Sequence, residues 1–402
     1  MKILFIAHSF PYPLHEGVRL HVYHLLKHLS AHHEIHFICF TESAQEKEYL
    51  PRITPFCRSV DVVEHKVPKQ AWKRLFNMLF QPDPYAVYQF QSARMHQTIE
   101  RAARQFQPDI VHIDFVSMAQ YAPRLKEWPK IFFPHDAMSM LFERNISAER
   151  NGLFRMYMVS QTRKMKAYES KILPWFEKTV VVSPVDRDVL QGRSPGAAIE
   201  WNPNGVDTDY FQPQPVPVKS NVVLFRGIMS FLPNYDAAMF FAKEVLPLIW
   251  AQRPDTEFRI VGDAAPKELR ALTGSEPRIR LTGFVPDLRE PMAEAAVIVS
   301  SMRIGSGIKN KILESLAMEK AVVATPMSLA GIDSRDGEHL LTADTPEQFA
   351  RQTLRLLKDP SLRETLGKKG REFVLQNHSW SAHTETFVRY YREAIEARKM
   401  IR

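Results

Sequence analysis

The stretch Ala295-Ala296-Val297-Ile298-Val299-Ser300-Ser301-Met302-Arg303-Ile304-Gly305-Ser306-Gly307-Ile308-Lys309-Asn310-Lys311-Ile312-Leu313-Glu314-Ser315-Leu316-Ala317 decides the fold. Its opening residues are apolar and β-branched, the pattern of a strand buried in a parallel sheet. A Gly-Ser-Gly turn follows. Ile308, Ile312, Leu316 and Ala317 then fall on one helical stripe, with Lys311 and Glu314 off it and available to a ligand. Strand, glycine turn and helix N-terminus together present unpaired backbone N–H groups and a positive dipole end, which suits a phosphate. Lys320-Ala321-Val322-Val323-Ala324-Thr325 supplies the next strand and closes a βαβ unit.

The same alternation extends in both directions. Strand signals stand at 3–7, 34–40, 61–67, 109–113, 130–134 and 179–183, with a helical stripe of Val18, Val22, Leu25, Leu26 and Leu29 after the first. After the Asn204-Gly205-Val206-Asp207 segment, Pro213, Pro215 and Pro217 make a stiff, extended connector, where the chain is expected to cross between domains and to hinge. A fresh start follows, with Asn221–Phe225 as a strand, an Arg226-Gly227 turn and a helix over 233–250. Strands at 257–262, 279–283 and 295–300 continue a second sheet. The fold class is therefore α/β, with two Rossmann-like domains.

At 402 residues, 45% apolar and 24% charged, the chain has the composition of ordinary globular protein, which argues against extensive disorder. The apolar run Ile3–Ala7 is too short for a signal-peptide core and reads as a strand. No stretch approaches the ~18 apolar residues of a membrane span. Two cysteines, Cys39 and Cys57, make no disulfide framework, read as packing thiols, and point to the cytoplasm. The net charge of +8 asks for an anionic partner. Nucleic acid is not expected, since no helix-turn-helix, zinc-finger or RNP pattern is present and the basic residues are dispersed. An anionic membrane surface fits better, through residues 66–80, where Lys66, Lys69, Lys73 and Arg74 mix with Trp72, Leu75, Phe76, Leu79 and Phe80 as in an interfacial helix. The other reading of 66–80 is an ordinary surface helix packed by its apolar stripe, so a peripheral position at the inner membrane face stands beside a plain cytoplasmic one.

The block around Glu314 resembles the donor-site signature of GT-B glycosyltransferases, in particular the retaining family 4 group. Glu314 stands at the second glutamate of that signature, and 320–325 matches the strand after it. Ser306 replaces the first glutamate. A variant branch carrying Gly-x-Gly-x-Lys-x-Lys-x-x-Glu fits better, and Asn204-Gly205-Val206-Asp207 with Phe211 is a second match to the family. The resemblance implies two Rossmann-like domains facing across a cleft. An acceptor domain spans 1–205, a nucleotide-sugar donor domain spans 206–379, and a helix over 380–402 returns to the first.

It also implies roles. Arg226 and Lys311 would stabilise charge developing on the leaving diphosphate, helped by backbone N–H groups of Gly307 and Ile308. Glu314 would accept the two ribose hydroxyls. Gly227, Ser306 and Lys309 belong to the same donor site, and Phe284 and Val285 lie where the base is expected. His135, at the carboxyl end of a strand, would lie against the donor sugar, with Asp136 orienting it or reaching the acceptor. Gly17 is the surviving glycine of the family's first loop, and Glu16 stands where a second would be. Pro233-Asn234 occupies the place of a family Lys-Gly, so Lys309 or Arg303 is expected to substitute. Bland alternatives accompany these roles: Arg226 as a surface arginine, Glu314 as a solvated glutamate paired with Lys311 or Asn310, and His135 as a loop residue.

His21, His24 and His28 lie on one edge of the first helix, and His24 with His28 has zinc-ligand spacing. No Glu follows in a His-Glu-x-x-His pattern, so a solvated polar face is expected. No Asp-x-Asp is present, so neither a metal nor any cofactor beyond the nucleotide sugar is expected. The function implied is a metal-independent hexosyltransferase using a UDP- or GDP-sugar on a saccharide or lipid-linked acceptor in polysaccharide biosynthesis. The alternatives are a nucleotide-sugar epimerase on the same fold and a non-catalytic nucleotide-sugar-binding assembly partner.

Overall fold

The computed structural model describes residues 1–14, 17–65, 71–148, 152–304 and 308–401. Two compact units emerge, Met1–Asn204 joined by His383–Arg402, and Gly205–Ala382.

In the first unit, the described residues form seven parallel strands: β1 (Lys2–Ala7), β2 (Glu34–Thr41), β3 (Ser59–Glu64), β4 (Ile110–Asp114), β5 (Lys130–His135), β6 (Lys178–Val181) and β7 (Ile199–Trp201). Their order is β3-β2-β1-β4-β5-β6-β7, so the winding reverses between β1 and β4. In open α/β sheets ligands gather beyond the carboxyl ends of strands at such a reversal. Alternate residues feed opposite faces. Leu4, Ile6, Val111 and Ile113 pack with Met95 and Ile99 of the helix Ala93–Phe106. Ile3, Phe5, Ile110 and Phe133 pack on the other face with Val22, Leu25 and Leu26 of the first helix, Gly17–Leu29. That face is completed by Phe387, Tyr391 and Ala394 of the final helix, Trp380–Ile401. The first unit is thus assembled from both ends of the sequence.

The second unit has β8 (Lys219–Arg226), β9 (Glu257–Val261), β10 (Ile279–Leu281), β11 (Ala295–Ser300), β12 (Val322–Ala324) and β13 (Leu341–Thr342), again parallel, in the order β10-β9-β8-β11-β12-β13. Here the reversal lies between β8 and β11. β11 is buried throughout, as its unbroken apolar run requires. The helix expected over 233–250 is interrupted by a π-helical segment, Phe241–Val245, between Leu232–Phe240 and Leu246–Trp250. Pro247 cannot donate to the ladder and its ring crowds the preceding turn, so the wider turn relieves it. The proline-rich stretch expected to be the crossing belongs wholly to the second unit, because Val206, Phe211 and Val216 pack into that unit's core. β7 and β13, three and two residues long, are too short to show a period in sequence.

Candidate functional site

In the second unit, β8 ends on Arg226, beside β11. A knot of hydroxyls fixes the chain leaving β11: Ser300 and Ser328 side chains meet at 3.0 Å, Thr325 donates to the Met302 carbonyl at 2.6 Å, and Ser301 donates to the Ala237 carbonyl at 2.9 Å. The helix Asn310–Ala317 follows, and its Ile312, Leu313 and Leu316 are buried against the sheet. That anchoring leaves Lys311 and Glu314, one turn apart, beside the Arg226 end of β8.

Arg226 is 9% exposed and its Nη2 forms an ion pair with Glu314 Oε2. The reading of Arg226 as a surface arginine is therefore wrong, and so is the pairing of Glu314 with Lys311 or Asn310. Lys311 Nζ instead donates to Asn234 Oδ1 at 2.6 Å and lies 4.7 Å from the Phe225 ring centroid. Asn234 is steadied by donating from Nδ2 to the Ile228 carbonyl at 3.0 Å. Only glycine at 227 allows this approach, since a Cβ there would sit 2.6 Å from Asn234 Cγ.

Burial, with the Arg226 and Lys309 cations adding to it, pulls the Lys311 ammonium down to about 7. Burial alone brings Arg226 to about 10, still a cation at neutral pH. Lys309, also buried, has its pKa lowered for the same reason. Arg226, Lys309 and Lys311 therefore crowd together with Glu314, and Arg226 Nε is buried without a hydrogen-bond partner. Arg226 and Lys311 share the one carboxylate of Glu314, and a polyanion would add negative charge there.

Of the other donor-site candidates, Ile308 is half-buried and Gly227 is part of the Asn234 contact. Phe284 is 75% exposed, following Gly283, whose φ of 70° turns the chain, while Val285 packs on the core. Ser306, Gly307 and, in the first unit, Glu16 lie outside the described residues. Asn234, at the place of the family Lys-Gly, seats Lys311, and Lys309 is buried beside it. Arg303 is taken up by Asp236 at 2.7 Å and by Glu244 at 3.6 Å.

In the first unit, β4 and β5 end on Asp114 and His135. His135 is buried, holds a left-handed φ of 70°, and sits where the β5–β6 register slips. A non-glycine residue in that region is strained and is retained only where its surroundings demand it. Its Nε2 lies 3.2 Å from Asp114 Oδ1. Asp136, expected to orient this ring or to reach the acceptor, is exposed, and the carboxylate hydrogen-bonded to the ring is that of Asp114. The neighbouring histidines hold the Asp114 carboxyl below its usual range although burial opposes this.

Around Asp114 the core is unusually polar. His21 Nδ1 and His112 Nε2 stand 3.7 and 3.8 Å from its Oδ2, too far for hydrogen bonds. His21 Nε2 meets His383 Nε2 at 2.9 Å, His383 Nδ1 meets the Pro203 carbonyl at 2.7 Å, and His112 Nδ1 meets the Tyr391 hydroxyl at 2.8 Å. A carbonyl only accepts, so His383 donates from Nδ1 and its neutral ring accepts from His21 Nε2–H. The solvated histidine face expected on the first helix is overturned: His21 is 0% and His24 3% exposed. Ring packing on Phe133 at 4.4 Å and the His383 bond take the place of water at His21. Gly17 opens that helix, with nothing within 4 Å of where a Cβ would stand.

His21, Asp114 and His135 have ligand atoms within 4.8 Å of one another, the one such group among the described residues. Within the group His135 Nε2 is hydrogen-bonded to Asp114 at 3.2 Å, whereas His21 bonds outside it, to His383 at 2.9 Å.

A family model described as Glycosyltransferase Family 4 matches residues 15–210, and one described as Glycosyl transferases group 1 matches residues 220–359. Between them they span most of the two-unit chain, which belongs to the GT-B glycosyltransferases. Sucrose-phosphate synthase from Thermosynechococcus elongatus has the same fold, with a TM-score of 0.65 at 18% identity over 98% of this chain and 99% of that one. Anabaena Alr3699/HepE, solved with UDP, gives 0.63 at 15% identity over 97% and 99%. An uncharacterized 44.6 kDa protein in the cps region of Klebsiella pneumoniae is 20% identical over 389 residues, 94% of this chain and 96% of that protein. The lipopolysaccharide core biosynthesis glycosyltransferase LpsE of Rhizobium meliloti is 31% identical over 144 residues, 34% and 42% of the two chains.

Proposed function

We propose that this glycosyltransferase is a retaining, metal-independent hexosyltransferase that moves a sugar from a UDP- or GDP-sugar to a saccharide or lipid-linked acceptor in polysaccharide assembly. The observation that carries the reading is the buried pair of cations Arg226 and Lys311 held beside the one carboxylate of Glu314. A diphosphate adds negative charge there. Contact with it raises the Lys311 pKa again, so the lysine becomes a full cation as negative charge develops on the departing phosphate. Glu314, already oriented by Arg226, accepts the ribose hydroxyls. The exposed Phe284 and the neighbouring backbone receive the base.

The bond from the sugar to the diphosphate breaks, the bond to the acceptor oxygen forms on the same face, and the acceptor proton leaves with the diphosphate. His135, held by Asp114, is assigned to the donor sugar. The neighbour solved with UDP supports the donor class, and the relatives in a cps region and in lipopolysaccharide core biosynthesis support the pathway.

The test is a thermal-shift panel of UDP, GDP, ADP and their sugar conjugates, since a ligand that binds only folded protein raises Tm. One nucleotide is expected to shift wild type and to lose its effect in Glu314→Ala. Product analysis with that donor then looks for a glycosylated acceptor. No shift with any nucleotide at millimolar concentration would refute the reading, and an epimerised donor without transfer would replace it.

A further inference from the structure

The helix Ala71–Phe80 is built inside out. Trp72, Leu75, Phe76, Leu79 and Phe80 follow the spacing i, i+3, i+4, i+7, i+8 that normally faces a core. Here they face solvent, 40% to 69% exposed, whereas Asn77 is fully buried. Asn77 donates to the Asp83 carbonyl at 3.0 Å and accepts from Gln161 at 3.1 Å. The expectation of an ordinary helix packed by its apolar stripe is thus reversed.

Gln161 belongs to the helix Gly152–Ile172, whose Lys164 also donates to the Asn77 and Met78 carbonyls at 2.6 and 3.1 Å. Near the start of that helix Leu153, Phe154 and Met156 are 79%, 42% and 59% exposed. Burial raises the Tyr157 hydroxyl pKa and the nearby Arg74 cation opposes that rise, which puts Tyr157 close to Arg74, so position 74 lies level with 157 and 77 with 161. Positions 74, 77 and 78 meet 157, 161 and 164 in the same order, so the two helices run side by side in the same direction; exposed apolar residues run the length of the first and stand at the start of the second.

Cations predominate along them, and the nearby carboxylates Glu143 and Asp83 are taken up by Lys166 and Lys171. No Asp or Glu occurs from Lys66 to Pro82 or from Asn151 to Tyr168, while Lys73, Arg74, Arg155 and Arg163 do. A second copy of this face would set cation against cation. Anionic headgroups satisfy the cations, and the acyl boundary accepts the aromatic and leucine side chains. Among the described residues no helix is long and apolar enough to cross a membrane, so this contact is with a surface.

We propose that the first unit docks on an anionic phospholipid bilayer through this face. The test is vesicle flotation of the full chain with phosphatidylcholine alone and with added phosphatidylglycerol. Wild type is expected to float only with phosphatidylglycerol. The bound fraction should fall about tenfold for each of Leu79→Ser and Leu153→Ser, as for a leucine half-sunk in the acyl boundary. Lys73→Gln with Arg74→Gln should remove the lipid-charge dependence. All are surface changes, so Tm and the nucleotide shift should be kept, which separates this proposal from the transferase reading. It is overturned if wild type ignores phosphatidylglycerol vesicles, if the variants float as well as wild type, or if light scattering shows a dimer that Leu79→Ser dissolves.

Discussion

Replacing Lys311 by methionine should stabilise the ligand-free protein and abolish donor binding together. The ammonium has fallen from its ordinary 10.5 to about 7, so the unfolded chain binds more protons between those values and stability rises with pH through that window. At pH 7 the charged lysine costs the folded state at most about 4 kcal/mol. Methionine removes that cost but leaves Asn234 Oδ1 without its donor, a loss of about 1–2 kcal/mol. The net gain is about 2 kcal/mol, or about 4–8 °C in Tm for a unit of this size. The assay is thermal unfolding at pH 7 and pH 10, with and without UDP and GDP. At pH 10 wild type and variant should nearly converge, and at neither pH should the variant respond to nucleotide. A variant less stable than wild type at pH 7, or one that keeps the nucleotide shift, would refute the reasoning.

Three further outcomes are expected. Asp114→Asn takes the carboxylate from the His135 ring, and kcat should drop about 10²-fold with the donor KM little changed, measured by initial rates. Equal loss in both parameters would argue against a positioning role. Burial holds His383 at about 3 and His8 at about 4, so both are neutral in the fold; the stability they contribute is complete above pH 6.5 and is lost as pH falls toward those values. His383→Gln should flatten the decline of Tm between pH 6.5 and pH 4, a stretch over which His383 alone accounts for about 3 kcal/mol. Phe387→Ala, opening a cavity under β1 and β5, should cost about 3–5 kcal/mol by denaturant titration of the first unit.

Both sheets were legible because a parallel strand buried on two faces writes a short β-branched run, and ten or more residues of helix separate one run from the next. The placing of Lys311 and Glu314 together was legible for a similar reason: they lie on one short helix, three residues apart, and so on one side of it. Asn234 and Asp114 were not. Each acts through a partner far along the chain, and nothing local distinguishes an asparagine that seats a lysine from one that caps a turn. An aspartate closing the run Ile110–Ile113 was the one available signal for Asp114, since a carboxylate seldom ends a buried strand without a partner. His21 and His24 were misread because periodicity counts histidine as polar, whereas a neutral imidazole packs like an aromatic once its nitrogens are bonded. The bond that lets His21 do so comes from His383, 362 residues away. For residues 71–80 the stripe was legible but its direction was not, because only the burial of Asn77 shows which side faces the protein.

The final helix also sets an order of assembly. Everything the first unit needs from residues 1–204 is made early, but Phe387 and Tyr391, which cover Phe133 and His112, are made only after the whole second unit. During synthesis the first sheet therefore waits with one apolar face uncovered and with His112 and His21 lacking their Tyr391 and His383 partners. The second unit has no such debt, since its own strands and helices are contiguous in sequence. The half of the protein that leaves the ribosome first is the half that finishes folding last, and its exposed face is where a holding chaperone would bind in the interval.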